Sequence, residues 1–189
     1  TTQSCLRALE DLVAPGMTML DAGTGSGILA IAAVRLGAAG VAAFDTDALA
    51  VRATLDNAAQ NGVAERLRVW RGELDSVRAE AGPGPWDIVV ANILAPVIIG
   101  LLGEQGLLDT VAPDGQLILS GIIDEQGPDV EAALAAAGGQ VRRIITAGDW
   151  VTYVAGHRQG YAGPERRPVH RRLAGAGRHR HLPGRRLHQ

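Results

Sequence analysis

Three features of the 189-residue chain predict an α/β fold: a mostly parallel sheet, helices on both faces and an antiparallel last strand. Short apolar runs alternate with longer stretches of helical spacing. The runs, such as Ile88-Val89-Val90, are apolar at successive positions, as in strands buried between two helical layers. The last two runs are too close for a crossover helix, so they pair as an antiparallel hairpin.

Leu6, Leu9 and Val13 place a helix over residues 3–13, and Pro15-Gly16 ends it. Residues 17–21 form the first strand and enter a glycine run. Residues 28–36, rich in Ala, Ile and Leu, form a helix with Gly37 at its stop position. The second strand spans 41–45. Asp47 caps a helix running to Gln60, and Asn61-Gly62 closes it. The third strand is 67–70, Gly82-Pro83-Gly84-Pro85 is a loop, and 86–91 is the fourth strand. Residues 95–111 are predicted as a helix interrupted by Gly100, Gly103 and Gly106. Pro113-Asp114-Gly115 turns into the fifth strand, 116–120. An Ala-rich helix spans 125–137, and the final strands are 141–146 and 150–155. No internal repeat is visible.

Hydrophobic residues make up 47% of the chain, enough for a buried core. No run of eighteen apolar residues appears, so no membrane span is expected. The first residues, Thr1 to Cys5, lack the regions of a signal peptide, and the chain starts mid-pattern without Met, as a fragment does. Cys5 is the only cysteine; it excludes an internal disulfide and suits the reducing cytoplasm. At helical spacing it is expected as a buried small apolar residue.

Charge divides the chain. Residues 1–155 hold 9 arginines against 19 acidic residues, a balance of −10, whereas residues 156–189 hold 9 arginines against Glu165 alone, a balance of +8. All five histidines fall in the second part, and there is no lysine. The expected organisation is a domain over 1–156 and a basic Arg/His/Gly/Pro-rich tail over 157–189.

The turn after the first strand reads Met19-Leu20-Asp21-Ala22-Gly23-Thr24-Gly25-Ser26-Gly27. Glycines there let the backbone approach a ligand closely, and the carboxyl edge of a parallel sheet is where such folds bind ligands. The spacing is wrong for a dinucleotide fingerprint, because the glycines are 23, 25 and 27 and position 28 is Ile. No Gly-Lys-Ser/Thr follows, which excludes a Walker loop. Asp45, ending the second strand, can accept hydrogen bonds from both ribose hydroxyls; since Asp47 already serves as helix cap, Asp45 is left for a ligand. Asn92, ending the fourth strand, offers a side-chain acceptor beside a reacting centre, or simply a turn residue.

Asp21-x-Gly23-x-Gly25-x-Gly27 resembles the first motif of class I S-adenosylmethionine-dependent methyltransferases. With Asp45 and Asn92 in register, residues 1–155 closely resemble the bacterial methyltransferases of ribosomal protein L11. The resemblance rests on Thr1-Thr2 followed by Cys5-Leu6, and on the LDAGTGSGILAIAA, NAAQNGV, VVANILA and LILSGI segments. It implies a Rossmann-like seven-stranded sheet with S-adenosylmethionine as cofactor. It further implies methyl transfer to lysine side chains and an α-amino group of a large-subunit ribosomal protein. By position it implies cofactor contacts at Thr2, Gly23, Asp45 and Asn92, and the glycine motif adds Asp21, Gly25 and Gly27 as cofactor-binding residues. Glu73 lies where this fold places a residue by the adenine, with a solvated loop acid as an equal alternative. The family's separate N-terminal recognition domain, and the Gly-His-Pro segment before Thr1, are expected to be absent, and the family pattern ends near Arg158.

An amine must shed its proton before it accepts a methyl group, since a free lysine has a pKa of about 10.4. No well-placed general base is visible. Asn92, with backbone carbonyls, is therefore expected to orient a neutral amine while solvent takes the proton. Trp150 is expected to pack in the core rather than line the mouth. The tail is expected to be disordered, whether in frame or from a shifted frame; a nucleic-acid arm and a metal site at His179-x-His181 are weaker readings. A monomer without membrane contact is expected. Competing functions are methylation of another protein or small molecule, a cofactor-binding fragment without turnover, and, more distantly, a nicotinamide oxidoreductase.

Overall fold

The computed structural model describes residues 1–82 and 84–159. The tail from residue 160, including His179 and His181, lies outside the described residues, as does Pro83. Six α-helices and seven strands alternate among the described residues: α1 (Thr2–Leu12), β1 (Thr18–Ala22), α2 (Ile28–Leu36), β2 (Gly40–Asp45), α3 (Ala48–Gln60), β3 (Leu67–Arg71), α4 (Leu74–Glu80), β4 (Trp86–Asn92), α5 (Ala95–Gly103), β5 (Val111–Ile123), α6 (Gly127–Ala136), β6 (Gly139–Ala147) and β7 (Trp150–His157).

The strands form one sheet in the order β3-β2-β1-β4-β5-β7-β6. Strands β1 to β5 pair in parallel, whereas β7 is antiparallel to both β5 and β6. The fold expected from sequence is therefore present, with the last strand slotted between β5 and β6. Successive strands step outward from β1 to β3, then return to its other side with β4. That reversal opens a crevice at the carboxyl edge between β1 and β4, where ligands bind in such sheets.

The pleat sorts the apolar residues between two cores. Met19, Val41, Ala43, Ile88, Val90 and Ile118 face a layer of α1, α2 and α3 residues that includes Leu9, Leu29, Val34 and Ala58. Leu20, Ala42, Phe44, Val89, Ala91, Leu117 and Leu119 face the opposite layer of α4, α5 and α6, which includes Leu74, Ile98, Leu102 and Leu134. Neighbouring residues of one strand thus enter different cores, which is why the strands are apolar throughout.

The structure departs from the sequence expectation at four places. Helix α4 fills a stretch to which the apolar pattern assigns no element; its buried residues are Leu74 and Val77 alone, too short a pattern to show periodicity. Helix α5 stops at Gly103, and a 3-10 turn at Leu107–Thr110 follows Gly106. Strand β5 begins at Val111: Trp86 pairs with Val111 and Ile88 with Gln116, so Pro113-Asp114-Gly115 is an excursion inside the ladder. Finally, β7 runs through His157, which is buried and donates Nε2–H to the Val111 carbonyl at 2.9 Å. His157 belongs to the sheet rather than to the tail.

Candidate functional site

The glycine loop is held from three sides. Gly23 N–H and Thr24 N–H both donate to the Phe44 carbonyl, at 2.9 and 3.0 Å. Thr54 Oγ1 donates to the Gly25 carbonyl at 3.0 Å, and Asn57 Nδ2 to the Ser26 carbonyl at 2.8 Å. Asn57 opens the NAAQNGV segment, so this stretch of α3 clamps the loop. Asp21 anchors the loop from beneath. It is 1% exposed and accepts from Thr24 Oγ1 at 2.8 Å and from the Ala30 N–H. Ala30 lies in the first turn of α2, whose N–H groups lack helical partners. Burial pushes the Asp21 carboxyl up to about 6, against the lowering effect of these two hydrogen bonds; the neighbouring Asp45 charge raises it further.

Asp45 stands half-buried at the end of β2. Its Oδ2 accepts from Gly25 N–H and its Oδ1 from Asp47 N–H, both at 3.0 Å. Asp47 caps α3 through Leu49 N–H at 2.8 Å. Asp45 is thus already engaged by two backbone amides. A carboxylate has about four acceptor positions, so capacity for a ligand remains on each oxygen.

At the end of β4, Asn92 donates from Nδ2 to Thr2 Oγ1 at 3.3 Å. This bond orients the amide, leaving Oδ1 as an acceptor without a partner among the described residues. The next residue, Ile93, ties three segments together. Its Cγ2 lies where a Cβ on Gly23 would come within 2.5 Å, and its N–H donates to the Ser120 carbonyl at 3.1 Å. Its carbonyl occupies the space a Cβ on Gly121 would need, and Gly121 has φ +82°. The glycine loop, ANILA and LILSGI segments therefore pack on one another around Ile93. Sequence reasoning did not single out Ile93, because nothing in an isolated isoleucine reports two glycine partners.

These residues border a cavity of about 550 Å3, within the usual range for small-molecule sites. Gly23, Asp45, Glu73 and Asn92 all line it, together with Thr1, Phe44, Thr46, Ile93, Leu94, Val97, Leu101, Gln105, Gly121 and Trp150. Asp21, Gly25 and Gly27 stand behind the lining and shape it, and Thr2 reaches it through Asn92. Glu73 precedes α4, its side chain making no capping bond. Trp150 is 40% exposed and borders the cavity; the expectation of core packing is corrected here. It opens β7 at the sheet's carboxyl edge, where no layer covers it. The cavity suits a nucleoside with an amino-acid arm: acceptors for hydroxyls and an amine at Asp45 and Asn92, and apolar walls at Phe44 and Leu101.

Behind the site, Cys5 of α1 is fully buried beside Ser120, whose hydroxyl also bonds Thr152 Oγ1 at 2.6 Å. Burial pushes the Cys5 thiol up to about 11, so it is a packing group, as expected. Among the described residues no group of three His, Cys, Asp or Glu side chains could hold a metal, and no helix is long and apolar enough to cross a membrane.

A family profile described as ribosomal protein L11 methyltransferase (PrmA) matches residues 1–158. A ribosomal protein L11 methyltransferase of Pelotomaculum thermopropionicum is 48% identical over 155 residues, covering 82% of this chain and 48% of that protein. The chain thus spans about half the length of this relative. The crystal structure of a ribosomal protein L11 methylase from Lactobacillus delbrueckii subsp. bulgaricus superposes with a TM-score of 0.75 at 37% identity, covering 84% of this chain and 79% of that one. An RNA methyltransferase from Salinibacter ruber, in complex with S-adenosyl-L-homocysteine, shares the fold at a TM-score of 0.62 and 19% identity, covering 82% and 90%. By the extent of these matches, the chain belongs to the ribosomal protein L11 methyltransferase family.

Proposed function

We propose that the chain binds S-adenosylmethionine in the carboxyl-edge cavity and transfers its methyl group to amino groups of ribosomal protein L11, on lysine side chains and at the α-amine. The observation that carries this reading is the convergence of the glycine loop, Asp45 and Asn92 on one cavity, within a chain of this family. A relative of the same fold takes the demethylated cofactor, which supports the ligand class.

The cofactor, when bound, supplies a methyl group already activated by its sulfonium. The chain's part is to bind, orient and exclude water. Asp45 would accept the ribose hydroxyls with the acceptor positions its two amide bonds leave open. Gly23, lacking a side chain, would admit the amino-acid arm, and Glu73 would sit by the adenine. Asn92, its amide set by Thr2, would present Oδ1 to one hydrogen of a neutral amine. The lining carboxylates are Asp45, held by two backbone amides, and Glu73, assigned to the adenine, which leaves the amine's proton to solvent. An apolar surround at Leu94, Val97 and Trp150 would favour the neutral amine by desolvating its charged form. Work on a ribosomal protein would place the enzyme in the cytoplasm.

Calorimetric titration with S-adenosylmethionine, followed by radiolabel transfer onto purified L11 and mass spectrometry of the product, tests the proposal. Saturable binding, lost in Asp45→Ala, is expected, with methyl groups found on amines. Asn92→Ala should bind the cofactor but turn over roughly a hundredfold more slowly. Full turnover in Asn92→Ala would remove the orienting role, and cofactor binding without labelled L11 would remove the substrate.

A further inference from the structure

A row of polar side chains crosses the sheet behind the cavity, and two of its members have no place in the scheme above. Val90, Ile118 and Val154 pair across β4, β5 and β7 and join the core on the α1 face as an apolar row. Two residues nearer the carboxyl edge, the same face carries Asn92, Ser120 and Thr152. Ser120 and Thr152 are 0% and 1% exposed, and their hydroxyls share a hydrogen bond of 2.6 Å. The Ser120 hydroxyl also hydrogen-bonds the Cys5 sulfur of α1. Stability does not require two buried hydroxyls, since an apolar pair of the same shape would serve about as well. What they add is direction: a satisfied polar network rigidifies one arrangement.

Ser120 is the hub through which that direction reaches the cavity. It stands opposite Asn92 in the β4–β5 ladder, and its carbonyl accepts from Ile93 N–H at 3.1 Å. Its main chain therefore fixes the end of β4, while its side chain fixes α1. Thr2 lies one turn before Cys5 on the same side of α1. The bond from Asn92 to Thr2 that sets the amide is long, at 3.3 Å. Such a bond holds the amide only where other contacts place both of its ends. The ladder places Asn92, and the contacts among Cys5, Ser120 and Thr152 place Thr2.

We infer that Ser120 is a positioning residue: with Thr152 and Cys5 it holds the first turn of α1, so that Thr2 keeps the Asn92 Oδ1 presented to the cavity. The inference rests on the cofactor reading above. Ser120 itself lies behind the lining and touches neither cofactor nor amine.

Sinefungin, in which an amine-bearing carbon replaces the methylsulfonium of the cofactor, carries a donor where the methyl group would be. S-adenosylhomocysteine carries none there. Calorimetry on the full chain compares the two ligands without any acceptor protein. The wild type should prefer sinefungin by at least about tenfold, and Asn92→Ala should lose that preference. Ser120→Ala and Thr152→Val should each bring the two ligands within about threefold, while binding S-adenosylhomocysteine as the wild type does. Thr152→Ser, which keeps the hydroxyl and loses the methyl group, should retain the preference. A role in packing alone reverses that order, because Thr152→Val keeps the shape. Thermal unfolding identifies the variants that fold. An undiminished preference in folded Ser120→Ala or Thr152→Val, or its loss in folded Thr152→Ser, overturns the inference and leaves the cofactor reading intact. A wild type that binds both ligands alike does the same. A wild type that binds neither overturns both.

Discussion

Asp21 lies in the glycine motif, yet the structure gives it the work of a buried anchor rather than of a lining residue. Its carboxyl, pushed up to about 6 in the folded protein from 3.8, keeps its proton across a pH window in which the unfolded chain has already lost it. The folded state therefore binds more protons between about pH 4 and about pH 6, and stability falls as pH rises through that window. The fall amounts to about 3 kcal/mol and is complete above the upper value. Asp21→Asn, which keeps an acceptor for Thr24 but cannot ionise, should flatten this decline in urea denaturation at about pH 4 and about pH 7. A slope unchanged in the variant would move the titration to another group. Asp45 shows how one residue does two jobs. Its two backbone acceptances fix the loop, and its remaining lone pairs face the cavity. Asp47 does cap α3, yet Asp45 is not left wholly free, since two backbone amides already occupy part of its carboxylate.

Among the elements, the β1–α2 turn and the β4–α5 turn depend on each other. Gly23 has φ +71°, and a methyl group there would come within 2.5 Å of Ile93 Cγ2. Gly23→Ala should cost about 2–4 kcal/mol, from the left-handed backbone plus overpacking. It should also abolish cofactor binding by displacing both turns. Chemical denaturation beside calorimetry reads the two effects, and a variant with near-native stability would show that Ile93 can move aside. The boundaries of α2 and α3 were legible because Gly37 and Asp47 are local signals, each read within one turn of its helix. The short α4 was not legible, because its two buried residues gain their meaning only by packing against β2 and β3. The long β5 hid its first residues behind Pro113-Asp114-Gly115, a turn signal that the ladder absorbs as a register shift.

Over the whole molecule, stability comes from two cores on either face of a single sheet. Leu117 is fully buried in the larger core, so Leu117→Ala should cost about 2–5 kcal/mol with an unchanged denaturant slope, measured by urea unfolding. A cost below that range would mean that the layer of α5 and α6 collapses into the gap. The sequence by itself determined the layer order, the parallel sheet with its antiparallel close, and the turn that holds the glycine loop. Those follow from the period of apolar residues and from the local signals of glycine, proline and capping acids, which act within a few residues of chain. It also marked Gly23, Asp45 and Asn92, since strand ends at a carboxyl edge are predictable once the strands are, whereas Glu73 was marked by the family resemblance alone. Only the tertiary structure decided what surrounds them. It put His157 in the sheet, Trp150 at the cavity and Ile93 between two glycines. Each of these depends on contacts between segments far apart in the chain, and a pattern read along one segment carries no record of its neighbour in space.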